Sequence, residues 1–254
     1  MSDKTIEIAV VESQEKIANG IYSLWINTPT VAPKAVPGQF INIYTNNQSL
    51  LLPRPISICE IDKAGGRLRL VYRVVGKGTD EFSSLKKDDK IKILGPIGNG
   101  FPLMDKKALL VGGGIGIPPM LELAKQLNNP TIVAGYRDEL FLDTELSNAG
   151  QLFVSSDNGA FGTKGNVMDA IKANNIKPEV IYACGPMIML KALKEYAAEN
   201  NIPAYISLEE RMACGVGACL GCVCKTVEKD HHTHVNNTRV CTEGPVFEAK
   251  EVDI

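Results

Sequence analysis

What this 254-residue chain lacks narrows the field before any motif is read. No apolar run approaches the ~18–20 residues that a membrane-spanning helix needs. Lysine and arginine total 27 against 29 aspartates and glutamates, a formal charge of −2, so there is no cationic surplus to recommend nucleic acid or an anionic membrane as partner. The opening stretch, MSDKTIEIAVVESQEKI, alternates charge with apolar residues and does not resemble a targeting segment. There is no internal repeat, no low-complexity tract and no nucleophile–His–acid arrangement of a hydrolase. Without a secretory segment, and with seven cysteines, an odd count, a disulfide framework is disfavoured and a reducing, cytoplasmic setting is expected. What remains has the composition of a globular protein, 44% hydrophobic and 22% charged. The length allows two ordinary domains and a small appendage.

Helix signals are also missing from the first hundred residues, which disfavours a (β/α)8 barrel. Thr5–Glu12, Gly20–Asn27, Gln39–Tyr44, Ile56–Glu60, Arg67–Arg73 and Lys90–Leu94 are short segments rich in Ile, Val, Leu and Tyr, punctuated by Gly, Pro, Asn and Asp. That spacing is expected of a small barrel or sandwich, of which an antiparallel β-barrel is the expectation taken, with one helical turn around Asp80–Leu85. From Lys106 the pattern alternates between strand and helix. Strands are expected at Ala108–Val111, Thr131–Tyr136, Gln151–Ser155, Val180–Cys184 and Ala204–Leu208; helices at Met120–Leu127, Glu139–Ala149, Gly165–Asn174 and Met187–Asn200. Such alternation predicts a parallel sheet covered on both faces. The expectation is a multidomain α/β and β protein: a barrel over 1–104, a nucleotide-type α/β domain over 105–207 and a cysteine-rich domain over 208–254.

The last of these holds the sharpest signal. Cys214, Cys219 and Cys222 are spaced C-x4-C-x2-C, and Cys241 follows a polar stretch of 18 residues. This is the plant-type ligand pattern of a [2Fe–2S] cluster, three thiolates from one tight loop and a fourth from a distant segment. Gly215, Gly217, Ala218 and Gly221 keep the loop free of side chains that would block a close wrap. Zinc also takes four cysteines, but its usual signature is paired C-x2-C knuckles, which the four-residue first gap does not match. Cys224 breaks the spacing and reads as a non-ligand, and Cys59 reads as a small buried residue. His231, His232 and His234 fall in the polar loop and read as solvated.

Three other stretches suggest anion and ring binding. In Leu52-Pro53-Arg54-Pro55-Ile56-Ser57, Arg54 offers a fork to phosphate oxygens and Ser57 a hydroxyl to a polar ring edge; an edge strand with an incidental Arg is the alternative. Gly76-Lys77-Gly78-Thr79 leads into a short helix, either as an anion site or as a plain turn. Gly112-Gly113-Gly114-Ile115-Gly116 follows a strand and opens a helix, the context of a dinucleotide turn, although the strict G-x-G-x-x-G fingerprint is not met. Arg137 and Asp138 end the next strand, and having both leaves NAD versus NADP open. Asp157-Asn158-Gly159 and Cys184-Gly185-Pro186-Met187 end further strands at the same crevice; Cys184 is either a thiol near a nicotinamide or a buried small residue.

Taken in order, RPIS, GKGT, GPIGNGF, VGGGIGIPP and CGP resemble the ferredoxin–NADP reductase superfamily of flavoproteins. With the tail ACGVGACLGCVCK…VCTEGPVF the likeness narrows to the electron-transfer subunits of type B dihydroorotate dehydrogenases. The resemblance implies FAD held by Arg54, Pro55, Ile56 and Ser57, with Leu70, Val71 and Tyr72 lining the ring and Gly78 and Thr79 on the phosphates. It implies NAD at Gly112, Gly113, Gly114 and Gly116, and a [2Fe–2S] cluster on Cys214, Cys219, Cys222 and Cys241. It further implies electrons arriving from the FMN of a separate dihydroorotate dehydrogenase subunit, in a heterotetramer with two copies of each chain, and leaving to NAD+ within pyrimidine biosynthesis. The same module serving a sulfide dehydrogenase or a ferredoxin–NADP oxidoreductase, or a zinc-stabilised redox sensor, are the alternatives. Two departures stand out: Ile56 replaces the superfamily's usual aromatic in R-x-Y-S, which suggests Tyr72 for flavin stacking, and no terminal aromatic closes the chain.

Overall fold

A computed structural model describes residues 4–47, 49–229 and 234–254, so His231 and His232 lie outside the described residues. The chain divides into two compact units. The first comprises the residues through Gly100 together with Glu209–Val223 and Arg239–Pro245; the second comprises Phe101–Leu208, Cys224–Thr238 and Val246–Ile254.

Six antiparallel strands of the first unit close a barrel: β1 (Thr5–Ala18), β2 (Ile21–Asn27), β3 (Phe40–Ile43), β4 (Arg54–Asp62), β5 (Arg67–Arg73) and β6 (Lys90–Ile97), in the order β1-β2-β5-β4-β3-β6. Closure removes the unpaired strand edges that invite aggregation. Helix α1 (Lys77–Ser83) lies between β5 and β6 in sequence. The interior is filled by Leu24, Ile26, Ile41, Ile43, Ile58, Leu68, Leu70, Tyr72, Phe82 and Ile93 among others. β1 runs six residues beyond the expected Glu12, because shifts in register at Val11/Ser13 and Lys16/Ala18 let a polar segment go on pairing with β2.

The second unit is a seven-stranded sheet ordered β10-β9-β8-β7-β11-β12-β15. Its strands are β7 (Ala108–Gly113), β8 (Thr131–Tyr136), β9 (Gln151–Ser156), β10 (Thr163–Lys164), β11 (Val180–Cys184), β12 (Ala204–Ser207) and, late in the chain, β15 (Val246–Glu248). All pair in parallel except β15, which runs antiparallel to β12. Every residue of β7 and β11 is buried, as expected of strands covered on both faces. The intervening helices are α2 (Pro118–Gln126), α3 (Asp143–Ala149), α4 (Val167–Ala173) and α5 (Met187–Glu199). α3 starts four residues later than expected, since Leu142 sits in the left-handed region (φ 59°) and cannot extend a helix backwards. Two short strands, β13 (Val223–Lys225) and β14 (Asn237–Arg239), form a separate pair flanking the polar loop. β13 is the strand expected to carry Cys224 away from the loop, whereas β14 and β15, three residues each, were not anticipated from sequence. Among the described residues no helix is long and apolar enough to cross a membrane.

Leu24 is fully buried and pairs with Gln14 of β1 and Leu70 of β5. Leu24→Ala is expected to cost the barrel about 2–5 kcal/mol. Leu51, 84% exposed, serves as the control, with Leu51→Ala staying within about 0.5 kcal/mol; denaturant midpoints of the two variants decide it.

Candidate functional site

The barrel has a seam where two strands part. β4 and β5 are paired from Asp62↔Arg67 to Ile58↔Leu70, and the register stops there. Beyond it, Arg54–Ser57 pair with Ile43–Phe40 of β3, while Val71, Tyr72 and Arg73 pair with Ser23, Tyr22 and Ile21 of β2. Two strand edges thus face a slot carrying backbone N–H and C=O groups without a ladder partner across it. A flat heterocycle with donors and acceptors on its rim satisfies such edges. Arg54, Pro55, Ile56 and Ser57 are all half-buried along one edge of the slot. Leu70, Val71 and Tyr72 are buried on the other. The Tyr72 ring belongs to the barrel core. It stacks on Tyr22 at 5.9 Å, meets Phe82 edge-on at 6.2 Å, and its hydroxyl donates to Gln14 Oε1 at 2.9 Å. Burial, with Tyr22 alongside, pushes its phenol well above the usual range. What β5 offers the slot at this position is therefore backbone, and the Tyr72 face is already occupied by Tyr22.

At the end of the slot, Arg54 and α1 come together. A methyl group at Gly78 would overlap the Arg54 guanidinium, so the fork lies directly on the backbone of the first turn of α1. An Arg nitrogen donates to the Leu52 carbonyl, which fixes the side chain in place. The Thr79 hydroxyl accepts from the N–H of Val75 (2.9 Å) and Gly76 (3.2 Å) and donates to the Gly76 carbonyl (3.0 Å). That hydroxyl holds the turn in shape; Arg54 and the backbone of Lys77-Gly78 are what the turn presents to an anion.

In the second unit the chain runs outward from β7 through β8 and β9, then returns to β11 on the other side of β7. The reversal creates a crevice at the carboxyl ends of β7 and β11, where Gly112 lies opposite Cys184. The glycines there have distinct roles. A methyl at Gly116 would strike the Cys184 carbonyl and Gly185 nitrogen; one at Gly113 would meet Met189 Sδ at 2.7 Å, and one at Gly112 would meet Ile117 Cα at 2.8 Å. Packing alone demands those three. Gly114, with φ +54° and nothing within 4 Å, is the position open to a ligand. Cys184 is 1% exposed, so its sulfur is part of the sheet's interior. Arg137 and Asp138 at the end of β8 are both exposed. A cavity of about 710 Å³ lies at the opposite, amino end of the same sheet, between Ala108, Thr131, Gln151 and Asn174–Glu179. It is separate from the crevice, on residues that none of the sequence motifs include.

Cys214, Cys219, Cys222 and Cys241 lie in the two late segments that fold with the barrel. None of the seven cysteines forms a disulfide. Gly215 (φ 68°), Gly217 (φ 84°) and Leu220 (φ 57°) are left-handed, and three such residues within one short stretch curl the backbone around Cys214, Cys219 and Cys222. The Val216 N–H points at Cys214 Sγ (3.4 Å) and the Gly221 N–H at Cys219 Sγ (3.5 Å). Burial raises the Cys214 thiol, but N–H groups of Val216, Cys219 and Ala218 and the Cys219 thiol outweigh it and bring it down to about 6. Cys241 goes the other way, to about 11, through burial and then the hydrogen-bonded Cys222 beside it. Cys214 thus has the Cys219 thiol beside it, and Cys241 has Cys222 next to it and Cys214 in electrostatic reach. Among the described residues no three ligand-type side chains surround one point closely enough for a single metal ion. A glycine-curled C-x4-C-x2-C loop with N–H groups aimed at its sulfurs and a distant fourth cysteine fits a [2Fe–2S] group better than the paired knuckles of zinc.

The fourth cysteine is brought in by a clamp that sequence reading missed. Arg239 donates to both oxygens of Glu243 (3.0 and 2.6 Å) and to the Gly217 carbonyl (3.1 Å), tying the Cys241 segment to the curled loop. Asn99 binds the same segment to the barrel, its N–H to Gly244 O (2.6 Å) and its side chain to Glu243 O (2.9 Å). The only signal for the clamp in the sequence is the four-residue Arg–Glu spacing, which is common on solvated surfaces. His234, the described member of the histidine group, is exposed.

Two family models match the chain: "Oxidoreductase FAD-binding domain" over residues 9–101, and "Iron-sulfur cluster binding domain of dihydroorotate dehydrogenase B" over residues 209–253. A protein of Fusobacterium nucleatum named "Dihydroorotate dehydrogenase B (NAD(+)), electron transfer subunit" is 43% identical over 98% of this chain and 99% of its own length. One of the same name from Geobacillus kaustophilus is 43% identical over 97% and 98%. A solved structure described as an NADH-dependent reduced ferredoxin–NADP oxidoreductase, studied for flavin-based electron bifurcation, superposes with a TM-score of 0.87 at 32% identity, over 97% of this chain and 90% of that one. A ferredoxin NADP+ reductase from Neisseria gonorrhoeae with bound FAD and NADP shares the fold alone, at a TM-score of 0.64 and 16% identity over 76% and 91% of the two chains.

The different roles of the glycines make a direct test. Gly116→Ala is expected to disrupt packing against β11 and to cost the second unit more than about 2 kcal/mol. Gly114→Ala should cost about 1–2 kcal/mol, from backbone conformation alone. Thermal unfolding of the two variants would show the gap, and equal losses would contradict the packing assignment.

Proposed function

The chain belongs to the family of electron transfer subunits of dihydroorotate dehydrogenase B (NAD(+)), and from that premise we propose that it carries electrons from a dihydroorotate-oxidising subunit to NAD+ in pyrimidine biosynthesis. The observation that carries this reading is the 43% identity running from the barrel through the cysteine tail, over 98% of the chain. When bound, FAD supplies hydride exchange with a nicotinamide and the [2Fe–2S] cluster supplies single-electron exchange, so the pair converts between one-electron and two-electron traffic.

The chain's own residues bind, orient and shield. Arg54 and the backbone of Gly78 and Thr79 hold the FAD pyrophosphate. The edges formed by Arg54, Pro55, Ile56 and Ser57 and by Leu70, Val71 and Tyr72 grip the ring, with Ser57 giving a hydroxyl to its rim. Gly114, set between Gly112, Gly113 and Gly116, leaves space for the NAD pyrophosphate over the ends of β7 and β11. Cys214, Cys219, Cys222 and Cys241 would hold the cluster. No acid–base residue is assigned in this chain. Oxidation of dihydroorotate is assigned to a partner, an FMN-containing catalytic subunit, in a cytoplasmic heterotetramer with two copies of each chain. Support for a separate partner comes from the relatives' names, which call them subunits. The assigned domains are residues 1–104 for FAD, 105–207 for NAD and 208–254 for the cluster.

Two measurements test this. Anaerobic copurification with an FMN dihydroorotate dehydrogenase should yield dihydroorotate-dependent NADH formation. A preparation that oxidises NADH but ignores dihydroorotate would transfer the module to another donor, such as ferredoxin. Cys241→Ser should lose iron and abolish dihydroorotate-dependent turnover while keeping FAD and NADH oxidation by an artificial acceptor. Arg54→Ala should weaken FAD binding by about 10- to 100-fold, the usual value of a charged hydrogen bond; undiminished affinity would remove Arg54 from the site.

A further inference from the structure

Asn42 is out of keeping with its surroundings. On β3, its neighbours Ile41 and Ile43 belong to the barrel core, so Asn42 projects from the outer wall. It is nonetheless fully buried. Both its Nδ2 and its Oδ1 are buried without a hydrogen-bond partner among the described residues. Such an amide is costly to desolvate unless something completes it. What covers it is the curled cysteine loop. A methyl group at Gly215 would overlap Asn42 Nδ2 and come within 3.2 Å of Ile97 Cδ1, so the amide nitrogen lies against the backbone between Cys214 and Val216. Across β3, Asn42 pairs with Pro55, on the strand that borders the flavin slot.

We propose that the Asn42 side-chain amide donates a hydrogen bond to sulfur at the iron–sulfur site, an inorganic sulfide of the bound group. This rests on the reading of the four cysteines as [2Fe–2S] ligands and adds a residue outside the cysteine tail. The chemistry selects the donor orientation. Sulfur bound to iron is an anionic acceptor, and the flipped amide would set an oxygen lone pair against it. The loop's own N–H groups already point at Cys214 and Cys219, and the Asn42 amide adds a donor from the barrel side. Reduction adds negative charge to the sulfurs, so a donor stabilises the reduced form more than the oxidised one and raises the potential. β3 would then back the flavin slot with its backbone and tune the cluster with a side chain.

The test is an EPR-monitored redox titration of the full-length chain, native and as Asn42→Leu and Asn42→Ala. Leu fills the space without a donor; Ala vacates it without crowding the loop. At the potential where the native cluster is half reduced, each variant should show a reduced-to-oxidised ratio about three- to tenfold lower, the yield of one lost hydrogen bond. An unchanged ratio in a variant with full iron and sulfide content would overturn the proposal. So would a variant that loses part of its cluster while the remainder titrates as in the native chain, since that marks a structural role only. Should Leu prevent cluster retention, Ala alone decides. A native chain without stoichiometric iron and sulfide would sink the cluster reading itself, and this proposal with it; a shifted potential cannot be confused with that result.

Discussion

On the proposed assignment four thiols must be delivered from segments separated by a polar stretch of 18 residues, and a short glycine-rich loop has no core of its own to hold that arrangement. The requirement accounts for much of the first unit. Left-handed residues at 215, 217 and 220 curl the loop, the Arg239 fork joins it to the segment bearing Cys241, and Asn99 fastens that segment to the barrel. Neither cysteine segment stands alone: both belong to the compact unit built on the barrel. The closed barrel is thus a rigid base for two jobs, a slot on one strand pair and a platform for the thiols.

The two proposed nucleotide sites rest on different physics. In the barrel the signal is backbone: two strands part after Ile58↔Leu70, leaving ladder groups that a heterocycle's rim can complete. In the parallel sheet the signal is topology, a crevice where the chain reverses between β7 and β11. The glycines that look most like a ligand motif in that sheet are required by packing at three of four positions, and Gly114 alone is open. A glycine run therefore says less about a ligand than its position at the switch point does.

The fold by itself does not choose the electron donor. A ferredoxin–NADP oxidoreductase covers 97% of this chain at a TM-score of 0.87, nearly the whole architecture with a different partner in its description. The identity of 43% to dihydroorotate dehydrogenase subunits, against 32% to that structure, is what separates them. Partner choice is written on surfaces, which change without disturbing a barrel or a sheet.

Local chemistry was readable from residues. The cysteine spacing, the all-β first hundred residues and the strand–helix alternation after Lys106 each depend on neighbours close in sequence, and the fold carries them all. The strands Arg67–Arg73, Thr131–Tyr136 and Val180–Cys184 match their expected limits, the first through polar–apolar alternation after Gly65-Gly66 and the other two as mostly apolar runs that each follow a proline-containing turn. Four things were decided only by the tertiary structure. Tyr72, a candidate to stack on flavin, is taken up by Tyr22, Phe82 and Gln14 inside the barrel. The Arg239–Glu243 clamp acts through Gly217, 22 residues away. β15 joins the parallel sheet from the far end of the chain. Asn42, an ordinary strand residue by sequence, becomes a buried amide facing the cysteine loop from 173 positions away, as 215 − 42. All four depend on contacts between segments distant along the chain, and no periodicity or spacing encodes those; closure of the barrel and the return of the tail bring them about.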